Sequence, residues 1–226
     1  RHRLINFARY MQPDLALEPF HVVYYTLLDK FAHGEIKKMI VQMPPQHGKS
    51  EGSSRKLPAF MLGLNPDTKI CIGSYAATIA RDFNRDVQRI IDTPKYREIF
   101  PKTFLNGSNV VTMANTYLRN SDVIEMVGHK GSLRVVGRGG ALTSKTVDVM
   151  IMDDVYKDYS EGNSPIVRNA AWKWYTTVVK KRLHNKSQEL IVFTRWHEED
   201  LIGKIEKGGE KIIDIKSWDS IKNIPD

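Results

Sequence analysis

Four short apolar runs, 39–43, 69–73, 147–152 and 190–193, constrain this chain more than anything else in it. They are largely non-alternating, so each suits a strand covered on both faces, as in a parallel sheet. Between and around them the apolar spacing predicts helices over 18–32, 49–61, 76–92, 164–184 and 198–206. Strands alternating with helices describe an α/β fold with a central, mainly parallel β-sheet flanked by helices on both faces. The stretch 101–146 breaks the rhythm. It is rich in Asn, Gly, Ser and Thr, with short segments at 110–113, 123–127 and 133–136, and reads as a β-rich excursion from the sheet.

With 226 residues the chain can build one well-cored domain but not two large ones. An apolar share of 41% against 27% charged is an ordinary globular balance and gives no sign of disorder. No apolar run reaches the roughly eighteen residues of a membrane span. The opening residues, Arg1-His2-Arg3-Leu4-Ile5-Asn6, lack the apolar core of a signal peptide. The single cysteine, Cys71, lies inside an apolar run and reads as a small buried hydrophobe, which suits a reducing cytosol. A net charge of +8 favours polyanionic partners. From Gly162 to Gln188 there is no acid, while Arg168, Lys173, Lys180, Lys181, Arg182 and Lys186 all occur. Arg81, Arg85 and Arg89 form a second row along one helix face, but Asp82 and Asp86 sit one step round, so a solvated, salt-bridged face explains that row equally well.

The first apolar run gives way to Pro44-Pro45-Gln46-His47-Gly48-Lys49-Ser50 and then to a predicted helix. Phosphate binding needs converging backbone amides, a helix N-terminus, a lysine for the β and γ oxygens and a hydroxyl for Mg²⁺. All four are offered here, so ATP is the expected ligand, with Pro45, Gln46, His47, Gly48, Lys49, Ser50 and Glu51 around its phosphates. The glycine that usually opens such a loop is replaced by Met43, and Pro44-Pro45 supplies a rigid turn instead. The third run ends in Asp153-Asp154. Two acids at the tip of a buried strand are costly unless they serve a metal or a water, so Asp153 with Ser50 is the candidate Mg²⁺ pair and Asp154 the candidate base. The fourth run ends in Thr194-Arg195-Trp196-His197, a polar pair at the carboxyl edge where ligands bind in such sheets. Thr194 and Arg195 are therefore candidates to sense the terminal phosphate. In the loop Gly137-Arg138-Gly139-Gly140-Ala141-Leu142-Thr143, Arg138 is the candidate arginine finger, with Lys145 and Arg134 behind it; a plain turn is the competing reading. Glu18-Pro19-Phe20-His21 could frame an adenine pocket with Phe20 stacking, although helix capping and core packing explain the same residues. Trp172, Trp174 and Tyr175 read as core in preference to base-stacking platforms.

These motifs and their order resemble the large terminase subunits of tailed bacteriophages and related prophages. The resemblance is carried by 43–50, Gly73-Ser74-Tyr75, Gly137-Arg138-Gly139-Gly140, Ile151-Met152-Asp153-Asp154 and Thr194-Arg195-Trp196-His197-Glu198-Glu199-Asp200-Leu201-Ile202-Gly203, and spans about 18 to 205. It implies a RecA-like P-loop NTPase of the ASCE type whose ATP hydrolysis drives double-stranded DNA into an empty capsid. The implied partners are the portal protein, the small terminase subunit and further copies of the chain in a ring on the portal. A monomer is expected in isolation, in the host bacterial cytoplasm and without a membrane. Relatives often carry Arg where Gln46 stands, and a Gly-Arg pair where this chain has Ser144-Lys145. They also continue into a nuclease with clustered carboxylates, so 1–207 is expected to be the ATPase domain and 208–226 the start of a linker. A helicase-like or repair ATPase on the same fold, or an assembly module that binds nucleotide without efficient turnover, are the alternatives.

Overall fold

The computed structural model of the chain describes residues 2–111, 116–142, 146–208 and, as backbone, 213–215. Seven strands form one sheet in the order β3-β4-β2-β5-β6-β1-β7. They are β1 (Lys38–Val41), β2 (Lys69–Ser74), β3 (Val123–Glu125), β4 (Ser132–Gly137), β5 (Val147–Asp153), β6 (Leu183–Val192) and β7 (Ile213–Ile215). Every pairing is parallel except β3 with β4. The four apolar runs become β1, β2, β5 and β6, four of the five inner strands, which is why they read as continuous rather than alternating.

The period of two decides which core each residue joins. Met39, Val41, Ile70, Ile72, Val149, Ile151, Leu190 and Val192 face one side and pack with α1 (Leu4–Met11), α2 (Pro19–Ala32), α3 (Leu57–Leu64), α4 (Ala77–Asp92) and α5 (Pro94–Ile99). Ile40, Cys71, Met150, Met152 and Ile191 face the other, against Trp174, Tyr175 and Ile205. That second layer is built by α7 (Pro165–Trp174) and α8 (Leu201–Lys207), with the short α6 (Tyr159–Asn163) preceding α7. Cys71 is fully buried, and burial pushes its thiol up to about 12, so it behaves as the small hydrophobe its neighbours suggest. No helix among the described residues is long and apolar enough to cross a membrane.

Several expectations need correction. The segment 133–136 is no excursion: β4 lies inside the main sheet beside β2, because Leu133 and Val136 are buried on opposite faces. Of 110–113 only Val110 and Val111 are described, and Val110 makes an isolated bridge to Arg119. The helix predicted over 164–184 is α7 followed by a π turn, Tyr175–Val179, and a 3-10 turn, Lys180–Arg182, after which the chain is already strand. The row on α4 is salt-bridged, Arg81 to Asp122, Arg85 to Asp82 and Arg89 to Asp86, so its charge is balanced locally. Three helices, α1, α5 and α6, lack a strong enough local signal to be predicted. Past 207, β7 pairs with β1 and extends the sheet.

Candidate nucleotide site

The carboxyl ends of β1, β5 and β6 converge on one place, and the segment after β1 shapes it. Gln46 (φ +62°) and Gly48 (φ +74°) both adopt the left-handed region on either side of His47. Glycine does this freely; glutamine at Gln46 does so at a cost, the kind of local strain that functional loops hold. Such alternation turns successive amides toward a common concavity. The chain then enters a helix at Lys49 whose first full turn, Glu51–Lys56, is a wide π turn leading into α3. Its carbonyl at Lys49 accepts from the Tyr24 hydroxyl at 2.5 Å and from Ser53 Oγ at 2.8 Å. A Cβ at Gly52 would stand 2.6 Å from the Tyr24 ring, so this turn rests directly on α2.

Opposite the loop, β5 ends at the fully buried Asp153. One of its oxygens accepts from Ser50 Oγ at 3.1 Å and the other from Ser54 Oγ. Burial, and then the neighbouring Asp154 charge, push its carboxyl up to about 6, while the two hydroxyls and Lys49 pull the other way. Asp154 adopts φ +45°, held by its own N–H to Val192 O and by Tyr75 N–H to its carbonyl, each 2.9 Å. Its carboxylate lies 3.2 Å from the buried ammonium of Lys49. Lysine, hydroxyls and both acids thus share one small volume. The donor set around Asp153 is all oxygen, which fits a hard cation such as Mg²⁺ held by one or two protein ligands alongside phosphate oxygens.

Of the other candidates, Thr194 is tied to the start of the loop, its hydroxyl donating to Met43 O at 3.3 Å. Phe20 is buried beside the loop with its ring 6.0 Å from that of His47. Glu51 turns aside to Lys56 at 2.8 Å. Arg195 also points elsewhere, to Asp200 (3.0 Å), Glu206 (3.3 Å) and His197 O (3.4 Å). Asp200 is fully buried and caps α8 by accepting from Gly203 N–H at 3.0 Å, so Arg195 neutralises a capping charge. Arg138 is likewise engaged within its own chain, donating to Val155 O at 2.7 Å and Glu161 Oε2 at 2.8 Å. Arg134 sits in β4 near Glu125, at 3.7 Å. Thr143 and Lys145 lie outside the described residues. Trp174 and Tyr175 are buried core, and the Trp174 indole donates to Gly140 O at 2.9 Å.

Two contributors escaped the sequence reading. Ser54 stands four residues after Ser50, a spacing that puts both hydroxyls on one helix face, so that signal was present. Tyr24 comes from another helix, and nothing local announces it.

A phosphate loop on one strand, an acid pair on another and a third strand between them define a nucleotide-binding ATPase of the RecA-like, ASCE-type P-loop class. The chain belongs to the family described as terminase large subunit, T4likevirus-type, N-terminal, whose model matches residues 40–223. No curated protein matches it. Among solved structures it is similar to the large terminase ATPase domain of Thermus phage P74-26, with TM-score 0.59 and 16% identity over 97% of this chain and 88% of that one. The large terminase of bacteriophage HK97 gives TM-score 0.59 and 14% identity over 95% of this chain, which spans only 43% of the HK97 protein. Dbp5 of S. cerevisiae, solved with Nup159, Gle1, IP6 and ADP, gives TM-score 0.50 and 11% identity over 94% of this chain and 51% of that one. At these identities all three likenesses are of fold alone.

Proposed function

We propose that this domain hydrolyses ATP to move double-stranded DNA into a viral procapsid, as the motor part of a terminase large subunit. The observation that carries the reading is the Lys49–Asp154 pair at 3.2 Å beside the Ser50–Asp153 bond, which places cation, hydroxyl and both acids in one cradle. On this reading Lys49 leaves Asp154 for phosphate oxygens when ATP enters. Asp154, released, orients and accepts a proton from the water that attacks the terminal phosphoryl group. Ser50 and Asp153 would hold Mg²⁺, which when bound offsets phosphate charge. Thr194 links the end of β6 to the loop through Met43 and so reports loop position to the rest of the sheet.

A ring on the portal, assembled with the small subunit in the host bacterial cytoplasm, would bring a neighbour's arginine to the site. Arg138 serves as that finger once freed from Glu161. DNA cutting by such a subunit would lie outside this domain. The net charge of +8 suits a duplex held through its phosphates, so affinity should fall steeply with salt and depend little on sequence.

The test is ATP turnover as a function of protein concentration, with and without DNA and portal. Wild type should accelerate on assembly, Lys49→Ala should abolish turnover, and Arg138→Ala should keep the basal rate but lose most of the acceleration. Turnover that survives Lys49→Ala would remove the reading.

A further inference from the structure

We infer that His21 is a positioning residue for the phosphate loop: through its two ring nitrogens it aims the peptide unit joining His47 to Gly48, and it does not read the base. The inference rests on the ATP-binding reading above and deepens it.

His21 stands in the first turn of α2. Its Nδ1 accepts from the Glu18 backbone N–H at 3.0 Å, the return half of a capping box. A nitrogen that accepts carries no proton, so in the neutral ring the proton sits on Nε2. Nε2 lies 3.2 Å from the carbonyl oxygen of His47 and therefore donates to it. One tautomer satisfies both partners, and burial lowers the ring's proton affinity, which favours that neutral form. The ring is wedged from the side by Phe20, centroid to centroid 3.7 Å.

The consequence follows from peptide geometry. In a planar trans peptide, C=O and N–H point in opposite directions. The chain has no cis bond among the described residues, so fixing the His47 carbonyl toward α2 turns the Gly48 N–H away from α2. Gly48 is the left-handed residue directly before Lys49, and a Cβ there would stand 3.2 Å from His21 Nε2. The bare glycine lets the imidazole approach, and the imidazole holds the glycine's amide in its aim. With both nitrogens spent on backbone, the ring has none left for hydrogen-bond recognition of a base. Phe20 and His21 thus act as a strut under the loop.

The conservative replacement is glutamine, whose carbonyl can accept from Glu18 N–H while its amide donates to His47 O. His21→Phe removes both bonds and keeps a ring. Fluorescent ADP and ATP titrations on the whole chain should show His21→Phe binding about ten- to a hundred-fold more weakly, the range for a hydrogen bond to a charged group. KM for ATP should rise accordingly while kcat changes little, and His21→Gln should stay within about threefold of wild type. Unchanged affinity in His21→Phe, or a glutamine variant as impaired as the phenylalanine one, would overturn the inference. So would loss of ATP-over-GTP preference with diphosphate affinity intact, since that marks a base contact. Should His21→Phe fail to fold, ¹⁵N spectra of the wild-type ring decide: a protonated Nε2 supports the strut and a protonated Nδ1 rejects it. Wild type binding no nucleotide at all would instead sink the ATP reading itself.

Discussion

The cradle and the two arginines near it hold charge in opposite ways. At the cradle, Lys49 and Asp153 are buried, Asp153 keeps a raised carboxyl, and the backbone is left-handed at Gln46, Gly48 and Asp154. Arg138 and Arg195 are each engaged by acceptors close by in the chain, the carbonyl of Val155 with Glu161 and the buried Asp200 with Glu206. Strain and a costly buried acid persist only where the surrounding structure enforces them. The contrast separates charge held ready for a ligand from charge that is engaged in holding loops and helix ends and must be released, as Arg138 from Glu161, before it can act.

Three measurements can break or sharpen this contrast. The largest effect is expected from Asp154→Asn. Single-turnover hydrolysis should fall by about 10²- to 10⁴-fold, the range for loss of a general base, whereas nucleotide affinity should hold or rise because Lys49 loses its competing partner. A parallel loss of affinity would mean that Asp154 shapes the loop rather than the chemistry. Next comes the stability of the magnesium-free protein against pH. The carboxyl of Asp153 is raised from 3.8 to about 6, so between those values the folded state keeps a proton that the unfolded state has released. Stability should therefore decline as pH climbs through that window and level off above it, by on the order of 3 kcal/mol. Denaturant titrations of Asp153→Asn should lack that slope; a variant that keeps it moves the titration to another group.

The smallest effect belongs to Arg195→Gln. Asp200 would lose its counter-charge while keeping the α8 cap, and because Arg195 is partly exposed the cost should be about 1–2 kcal/mol, a Tm drop of a few degrees. Nucleotide affinity should not change. Lost turnover at an unchanged Tm would put Arg195 back among the phosphate sensors that its place in the sequence suggests.

Most of the inner sheet, and the loop and acid pair of the cradle, could be read before any coordinates, because they are written in contiguous residues, whereas Ser54 and Tyr24 escaped that reading. A strand buried on both faces must be an unbroken apolar run, and a phosphate loop must follow a strand and open a helix, so 39–50 and 147–154 carry their own context. The β4 insertion was hidden because its Ser and Gly ends weaken the apolar run while Leu133 and Val136 serve different cores. The partner of each arginine was hidden for another reason. Thr194-Arg195 ends an apolar strand and Arg138 sits in a glycine loop, both sensible places for a catalytic cation. Whether such a cation faces the ligand depends on which acids the fold brings within about 3 Å. Sequence alone determined which residues have the chemistry to hold a triphosphate. Tertiary structure decided which of them meet: Ser50 and Asp153 stand 103 positions apart, one in the helix that follows β1 and the other at the end of β5, with β6 between those two strands. Strand order is settled by packing over the whole sheet, and no local pattern of residues encodes it.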